Sequence, residues 1–297
     1  MKRPGFLAAI EHRRFRLHWI GAFLSSVGTW IQDVALSCLI HVQTGDPFYL
    51  GLRRFAQDVP LLALMLVGGA VADRVDRRGI LLTSQVIQML LAVALAVLYF
   101  AGHLGIAAIL VIAFLAGLTQ SQSAPTYQAV LPSLVPREHI PNAVALNSLQ
   151  FNTSRAIGPV IAGLLLAQAG TGACFVANAA SFVAVILVLW WIRFPSPKQA
   201  GGEKLAETLR TGVRHVAGAP LLRTFTLLAG ATSLLGFPLV TFLPTLAGDV
   251  LGTGAAGYSL LLTSLGVGAI VGALTTAQRG SVPGRGRLTL LHLVAFG

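Results

Sequence analysis

The sequence predicts an all-α protein that crosses a membrane several times, and three observations support this class. Of the 297 residues, 55% are hydrophobic and only 10% are charged, whereas a typical soluble domain carries about 25% charged residues. The mean hydropathy is +0.77. Apolar runs of about 20 residues, the length at which a helix crosses a bilayer, recur along the chain. The composition therefore excludes an ordinary soluble enzyme and a disordered chain.

Eight apolar runs are long enough to span a bilayer. They lie near residues 17–41, 50–72, 80–101, 104–125, 142–167, 172–194, 221–247 and 256–277. The first run follows a basic tail but lacks a small-residue cleavage site, so we expect a retained span rather than a signal peptide. A ninth run begins at Leu288 and reaches only Gly297. It is too short to span, which predicts a chain that ends inside an element, as in a truncated or incomplete protein.

The basic residues outside the spans are predicted to lie on one side of the membrane. They are found in the N-terminal tail and in every second connection: Lys2, Arg3, Arg13, Arg14, Arg16, Arg74, Arg77, Arg78, Arg137, Arg193, Lys198, Lys204, Arg210, Arg214, Arg223, Arg279, Arg285 and Arg287. The opposite turns carry Asp46, His103 and Asp249 instead. Because basic segments stay in the cytoplasm, the N-terminus is predicted to be cytoplasmic. The net charge of +11 thus reflects topology and not a nucleic-acid partner.

The longest connection divides the chain into three predicted parts: a six-helix half (1–194), a cytoplasmic linker (195–220) and a partial second half (221–297). The linker opens with Pro195, Pro197 and two glycines, a composition typical of loops. Apolar residues then recur at helical spacing with charged residues between them, at Leu205, Leu209, Val213 and Val216. This pattern predicts an amphipathic helix on the inner membrane surface or, alternatively, a solvated linker helix.

Several kinds of site are missing from the sequence. Cys38 and Cys174 both lie in apolar runs and are interpreted as small buried hydrophobes. No cluster has the spacing of a metal site, and no phosphate-binding loop or serine nucleophile motif occurs. We therefore predict neither an enzyme nor an ATP-driven pump, and no cofactor or metal.

The turn after the second span contains a glycine, an acidic residue and three arginines. They are Gly69, Asp73, Arg74, Arg77 and Arg78. The glycine permits close helix packing, the aspartate can cap or pair at the start of the next helix, and the arginines hold the turn in the cytoplasm. The spacing resembles the signature loop between helices two and three of the major facilitator superfamily. Its Asp-Arg-Arg form resembles the branch of enterobactin exporters and macrolide efflux proteins, with Asp76 at a position where the family usually has glycine.

A second stretch, Pro125–Gly163, is similar to the fourth-to-fifth-helix segment of the same branch. Within it, Gly158, Pro159 and Gly163 resemble the fifth-helix motif of proton antiporters, with Ala162 in place of the usual first glycine. The proline and glycines predict a bent, closely packed helix, whether or not it has a coupling role. The resemblance implies the major facilitator fold, with a complete N-terminal half and part of the second. It also implies proton-driven efflux of an amphipathic small molecule, of siderophore or drug type, across a bacterial inner membrane.

Three ionisable residues lie within predicted spans, where charge is costly and marks a functional site by default. They are Asp33, Asp58 and Arg155. Their depths allow them to share one cavity, in which an aspartate takes up a proton and Arg155 tunes it or binds an anionic group. The alternative is a static ion pair of Asp33 or Asp58 with one of the arginines within the spans, Arg53, Arg54 or Arg155. Polar neighbours can line the same cavity or bond between helices: Gln32, Asn147 and Asn152.

Two functions follow from these patterns. The first is a secondary transporter whose partners are a small-molecule substrate, protons and the lipid bilayer, and which works by alternating access. The second is a truncated, non-transporting remnant, or a membrane-embedded partner of a transporter, because a lone half leaves polar surface facing lipid. The sequence names neither the substrate nor an oligomeric state.

Overall fold

The computed structural model describes residues 7–72, 76–192, 211 and 214–278, and these form helices and short connections. The helices are α1 (Ala8–Glu11), α2 (Arg13–Thr44), α3 (Phe48–Ala72), α4 (Arg77–Phe100), α5 (Ile106–Val130), α6 (Ile140–Trp191), α7 (Pro220–Thr245) and α8 (Gly254–Gln278). Two 3-10 turns, Leu131–Leu134 and Arg137–His139, join α5 to α6, and a π-helical segment, Leu246–Val250, follows α7. The predicted all-α class is confirmed.

Helix α6 consists of two helices that meet at Gly170. This residue has φ +75° and ψ −178°, a conformation that glycine adopts without the steric penalty of a side chain. We call the two parts α6a (140–169) and α6b (171–191). With this division, each of the eight predicted runs coincides with a helix. Among the described residues, four stretches are long and apolar enough to cross a membrane: Arg13–Thr44, Arg77–Phe100, Ile106–Leu134 and Arg137–Trp191, the last including both parts of α6.

Helices α2 to α6b make up what we call the first bundle, in which α2 packs along both parts of α6. Glycines permit this approach, as expected for helices in a membrane. A Cβ atom on Gly28 would lie 2.1 Å from Ser181 Oγ in α6b, and one on Gly158 would lie 2.4 Å from Trp30 Cβ. Helices α3 and α5 form a second close pair, in which a Cβ on Gly117 would meet a backbone carbonyl of α3.

The buried apolar residues form two layers at opposite ends of the bundle. One layer includes Ile31, Val34, Leu50, Phe175 and Leu262, and therefore joins the first six helices to α8. The other is built from residues near the opposite ends of α2, α4, α5 and α6: Phe15, Leu81, Val130, Leu146 and Leu189. Polar side chains of α2, α3, α4, α5 and α6b lie among these apolar residues, and they form the site.

Some predictions lie outside the described residues. They concern Asp73 and Arg74 of the signature turn, nearly all of the predicted amphipathic helix in the linker, Arg279 and the run that begins at Leu288.

Candidate functional site

A buried ion pair joins the first two long helices. Arg53 Nη2 in α3 lies 2.7 Å from Asp33 Oδ1 in α2, and the two side chains are only 7% and 18% exposed. Removing two charges from water is costly unless each neutralises the other at close range. This is one of the pairs that the sequence left open for Asp33. Arg54, the next residue along α3, adds a second positive charge near the same carboxylate.

A polar cavity of about 50 Å³ adjoins the ion pair. Its volume is enough for a few water molecules, since one water requires about 10–15 Å³ on the same measure. Five amide side chains from five helical segments line it beside Asp33 and Arg53: Gln32, Gln57, Gln88, Gln120 and Asn178. These groups both donate and accept hydrogen bonds, so the cavity is suited to holding water against a carboxylate.

The amide of Gln32 is held by the opposite helix. Asn178 Nδ2 in α6b donates a 2.8 Å hydrogen bond to Gln32 Oε1, and Asn178 is fully buried. Ser181 Oγ donates to the Asn178 carbonyl one turn away. The absence of a side chain at Gly28 leaves room for both α6b residues. The cavity wall next to Asp33 is therefore fixed by bonds between α2 and α6b.

A second, smaller cavity of about 10 Å³ lies on the other side of the ion pair, between α2, α3 and the helices α7 and α8. Asp33, Ser37 and Arg53 line it from the first half, and Tyr258 lines it from α8. Tyr258 is only 3% exposed, and its side chain lines this cavity together with Ser37. Asp33 thus lies between the polar cavity within the first bundle and the narrow space where α2 and α3 face α7 and α8.

The other predicted carboxylate, Asp58, lies near the pair but lines neither of these cavities. It is half-buried, and the charges of Arg54, Arg53 and Asp33 all act on it. Arg54 precedes Asp58 by one helical turn, so the two side chains lie on the same face of α3. The structure therefore brings Asp33 and Asp58 into one electrostatic neighbourhood while only Asp33 contacts Arg53.

Arg155 lies apart from both cavities, on α6a. Its Nε atom is buried and has no hydrogen-bond partner within the described part of the chain. Phe151, one turn earlier on the same face, is half exposed and its ring lies 6.3 Å from that of Trp30 in an edge-on arrangement. Asn147 continues this face by one more turn. Neither of the two cavities described above is lined by all three of Asp33, Asp58 and Arg155.

Asn152 has a local contact, whereas the residues of the fifth-helix motif lie where helices meet. Asn152 Nδ2 donates a 2.8 Å bond to the Ser148 carbonyl in its own helix. Gly158 and Pro159 are buried where α6a meets α2. A Cβ on Gly163 would lie 3.0 Å from Ser259 Oγ in α8, so this glycine belongs to the contact between the two parts of the protein.

The arginines of the signature turn bind the ends of other helices. Arg77 Nη1 donates to the Ala129 carbonyl at 3.2 Å. Arg78 Nε donates to the Leu189 carbonyl at 2.9 Å, and its Nη2 donates to that of Trp190. Carbonyls in the last turn of a helix lack intrahelical partners, and basic side chains satisfy them. These two arginines therefore tie the start of α4 to the ends of α5 and α6b.

Asp76, the departure from the family pattern, caps α4. Its carboxylate accepts hydrogen bonds from the backbone N–H groups of Arg78 and Gly79, at 3.2 and 3.1 Å. An aspartate at this position satisfies donors that the helix leaves free. Gly69 lies three residues before Ala72, the last residue of α3.

Sequence reasoning missed several residues of the site. It did not single out the glutamines of α3, α4 and α5, although each is an amide within an apolar run and therefore costly to bury without a partner. Nor did it predict Tyr258, or the contact of His41 Nε2 with Asp249 Oδ1 at 3.3 Å. The positions of Tyr258 and Asp249 relative to α2 depend on how α7 and α8 pack against that helix, which no local pattern reveals.

Comparison with known proteins agrees with this architecture. The sequence profile of the family described as "Transmembrane secretion effector" matches residues 5–296. The chain belongs to this family, within the major facilitator superfamily of transporters. It is 29% identical over 281 residues to the staphyloferrin A transporter of Staphylococcus aureus, covering 93% of this chain and 70% of the relative. It is 28% identical over 281 residues to the enterobactin exporter EntS of Shigella boydii, covering 94% and 67%.

A solved structure shares the fold. It is a bacterial homologue of the human lysosomal transporter Spinster, in an inward-facing and unoccupied conformation. The TM-score is 0.66 at 16% sequence identity, and the match covers 88% of this chain and 61% of that one. This chain therefore spans less than two thirds of the length of that structure. The likeness confirms the predicted major facilitator fold.

Proposed function

We propose that the protein exports a small amphipathic chelator of siderophore type across the bacterial inner membrane in exchange for protons. The names of its relatives support this substrate class, because one is a staphyloferrin A transporter and another an enterobactin exporter. The one-sided distribution of Lys and Arg supports a cytoplasmic N-terminus. In this orientation the ends of α2 and α6a near Thr44 and Gly170 lie on the outer side.

The observation that carries the proposal is the buried ion pair of Asp33 and Arg53 beside a water-sized polar cavity. A proton delivered through cavity water to Asp33 cancels the charge that holds the Arg53 guanidinium. The neutral carboxyl group then releases α3 from α2 at this point, while the deprotonated form restores the contact. Protonation of Asp33 thus switches the contact between α2 and α3 between a formed and a released state. Coupling of proton binding to a conformational change requires such a difference between two states.

The substrate binds elsewhere in this proposal, because a cavity of about 50 Å³ is too small for a chelator; sites for such ligands typically measure about 300–1,000 Å³. We assign the substrate to the face of α6a that carries Asn147, Phe151 and Arg155. Arg155 supplies an unpaired guanidinium nitrogen for a carboxylate or catecholate. The half-exposed ring of Phe151, edge-on to Trp30, supplies an apolar surface. Alternating access would expose this face to each side in turn.

The experiment compares Asp33→Asn with the unaltered protein in sealed vesicles, with an imposed pH gradient and enterobactin or staphyloferrin A as the probe. The asparagine keeps the shape of the side chain but can carry neither the charge nor the exchanged proton. We expect gradient-driven accumulation to fall at least about tenfold, with exchange of labelled probe retained, because only the proton-dependent step is lost.

Asp46→Asn is the matched control. Asp46 lies in the outer turn, where its carboxylate accepts a bond from the Phe48 N–H that an asparagine can also accept. This variant is expected to accumulate probe normally. Normal accumulation by Asp33→Asn would exclude Asp33 as the proton carrier, and failure of the unaltered protein to move either probe would contradict the siderophore class.

A further inference from the structure

Three polar residues form a stripe along the outer half of α2. Asp33, Ser37 and His41 are spaced four residues apart, so they lie on one face of the helix. Each lies next to a different segment: Asp33 pairs with Arg53 in α3, Ser37 lines the smaller cavity with Tyr258 of α8, and His41 contacts Asp249 just before α8. The inner contact joins two helices of the first half, whereas the two outer contacts join the first half to the second.

The segments that face His41 and Ser37 are tightly packed next to the buried ion pair of Asp33 and Arg53. A Cβ atom on Gly248 would lie 2.7 Å from His41 Nε2, so the π-helical segment rests directly on the imidazole ring. Tyr258 belongs to the same buried layer as Leu50 and Leu262. The space left between its ring and the ion pair is about 10 Å³, at or below the volume needed for one water molecule. Outer water is therefore excluded from Asp33 on this side while Tyr258 is in position.

We propose that Tyr258 is a positioning residue for proton exchange: it closes the outer route to Asp33 and opens it only when α8 moves away from α2. The proposal rests on the proposed function, because it takes Asp33 as the proton carrier. The buried aromatic ring fills the space next to Ser37 and the ion pair. Opening of the outer side withdraws the ring, and water then reaches the carboxylate from outside.

The polar cavity makes this closure necessary. It lies on the other side of Asp33, within the first bundle, and holds enough volume for water. With Tyr258 in place, Asp33 contacts water only on the cavity side. Without the ring, the same carboxylate would meet water on both sides at once, and protons would cross without substrate. Water can thus reach the Asp33 carboxylate from the polar cavity while Tyr258 is in place, and from the outside only after Tyr258 has moved.

The first test measures access from outside. Ser37→Cys is introduced into a protein in which Cys38 and Cys174 are serine, and its reaction with a membrane-impermeant thiosulfonate is timed in intact cells. We expect Tyr258→Ala to raise the labelling rate at least about tenfold, and Tyr258→Phe, which keeps the ring, to stay within about threefold. Tyr49→Ala, at the outer end of α3, is the matched control and should leave the rate unchanged. Equal labelling with and without the Tyr258 ring would overturn the proposal.

The second test follows protons directly. Vesicles that contain the protein and a trapped pH-sensitive dye receive a pH jump without substrate. Tyr258→Ala should acidify the interior faster than the unaltered protein or Tyr258→Phe, and adding Asp33→Asn should abolish the difference. A leak that survives Asp33→Asn would keep Tyr258 as the seal but remove Asp33 as the carrier, so the two proposals fail separately. No leak in Tyr258→Ala would overturn the role of Tyr258 in proton access.

Discussion

His41 Nε2 lies 3.3 Å from Asp249 Oδ1, and this contact joins the outer end of α2 to the segment that precedes α8. The pair is charged on both sides only when the imidazole is protonated. Asp249 is more than half exposed, so water screens the attraction. We therefore interpret this contact as one that, like Tyr258, favours the conformation in which α8 lies against α2. It contributes little to the stability of the fold.

Asp249→Asn is accordingly expected to change conformation more than stability. The free energy of unfolding should fall by no more than about 1 kcal/mol, the usual limit for an exposed ion pair. Labelling of Ser37→Cys from outside should nevertheless become faster, because the contact of His41 with the segment that precedes α8 is weakened. Asp46→Asn makes the same chemical change in the outer turn and should alter neither quantity. A loss of several kcal/mol in Asp249→Asn would contradict this interpretation.

The buried pair of Asp33 and Arg53 predicts strong coupling between two substitutions. Arg53→Gln leaves the carboxylate buried without its closest counter-charge, and Asp33→Asn leaves the guanidinium in the same position. Removing one partner of a buried pair costs about 3–5 kcal/mol. The double variant removes both charges and should lose clearly less than the sum of the two single losses.

The measurement is the free energy of unfolding of all four proteins in detergent, obtained by denaturant titration. No substrate is needed, so the result does not depend on the proposed transport. Additive losses would mean that the ion pair contributes no interaction energy. In that case the contact of α2 with α3 would depend on apolar packing alone.

The helices could be predicted from the sequence, but the partner of Asp33 could not. Eight apolar runs identify eight helices because burial in lipid requires such runs. The depth of each residue can be counted from the turn between α2 and α3. Asp33 lies eleven residues before the end of α2, and Arg53 lies five residues after the start of α3. Their backbones therefore differ in height by about 9 Å. The long arginine side chain spans much of this difference, and counting residues does not reveal which of Arg53 and Arg54 faces α2.

The contact of Tyr258 with Ser37 could not be predicted for another reason. It joins residues more than 200 positions apart in sequence, on helices of different halves. A tyrosine near the start of an apolar run is typical of the membrane interface, and nothing local distinguishes it from one that faces lipid. Asp76 is different, because an aspartate just before a helix is a recognisable capping signal.

Asp76 predicts a graded series of stabilities. Its carboxylate accepts bonds from two backbone N–H groups at the start of α4. Asp76→Asn should keep most of the stability, Asp76→Ala should lose about 1 kcal/mol, and Asp76→Gly only a few tenths, because glycine is itself tolerated at this position. The family usually has glycine there, so the small cost fits the resemblance. Thermal unfolding of the four proteins measures the order, and a larger loss for glycine than for alanine would contradict the capping role.

Gly158 and Gly163 of the fifth-helix motif should respond differently to the same added methyl group. A Cβ on Gly158 would lie 2.4 Å from Trp30 Cβ, an atom fixed to the backbone of α2, so the two helices must separate. We expect Gly158→Ala to cost about 1–3 kcal/mol, as overpacking in a core does. A Cβ on Gly163 would instead lie 3.0 Å from Ser259 Oγ, a hydroxyl that can rotate away, and 3.2 Å from Ser259 Cβ, which needs to shift by only a few tenths of an ångström. Gly163→Ala should therefore cost less than about 1 kcal/mol.

Gly230→Ala is the control for both variants, because, apart from its chain neighbours and the nearby backbone of its own helix, no atom of the described residues lies within 4 Å of the added Cβ. In the middle of α7 it should leave stability unchanged or raise it by up to about 1 kcal/mol, since alanine favours a helix over glycine. Unfolding can be followed with a fluorescent thiol reagent that reacts with Cys174, which is fully buried in the folded protein, after Cys38 is replaced by serine. Equal losses at Gly158 and Gly163 would mean that the contact of α6a with α8 is as rigid as its contact with α2. The two halves would then be unable to separate at this position at low cost, contrary to the alternating movement proposed for α8.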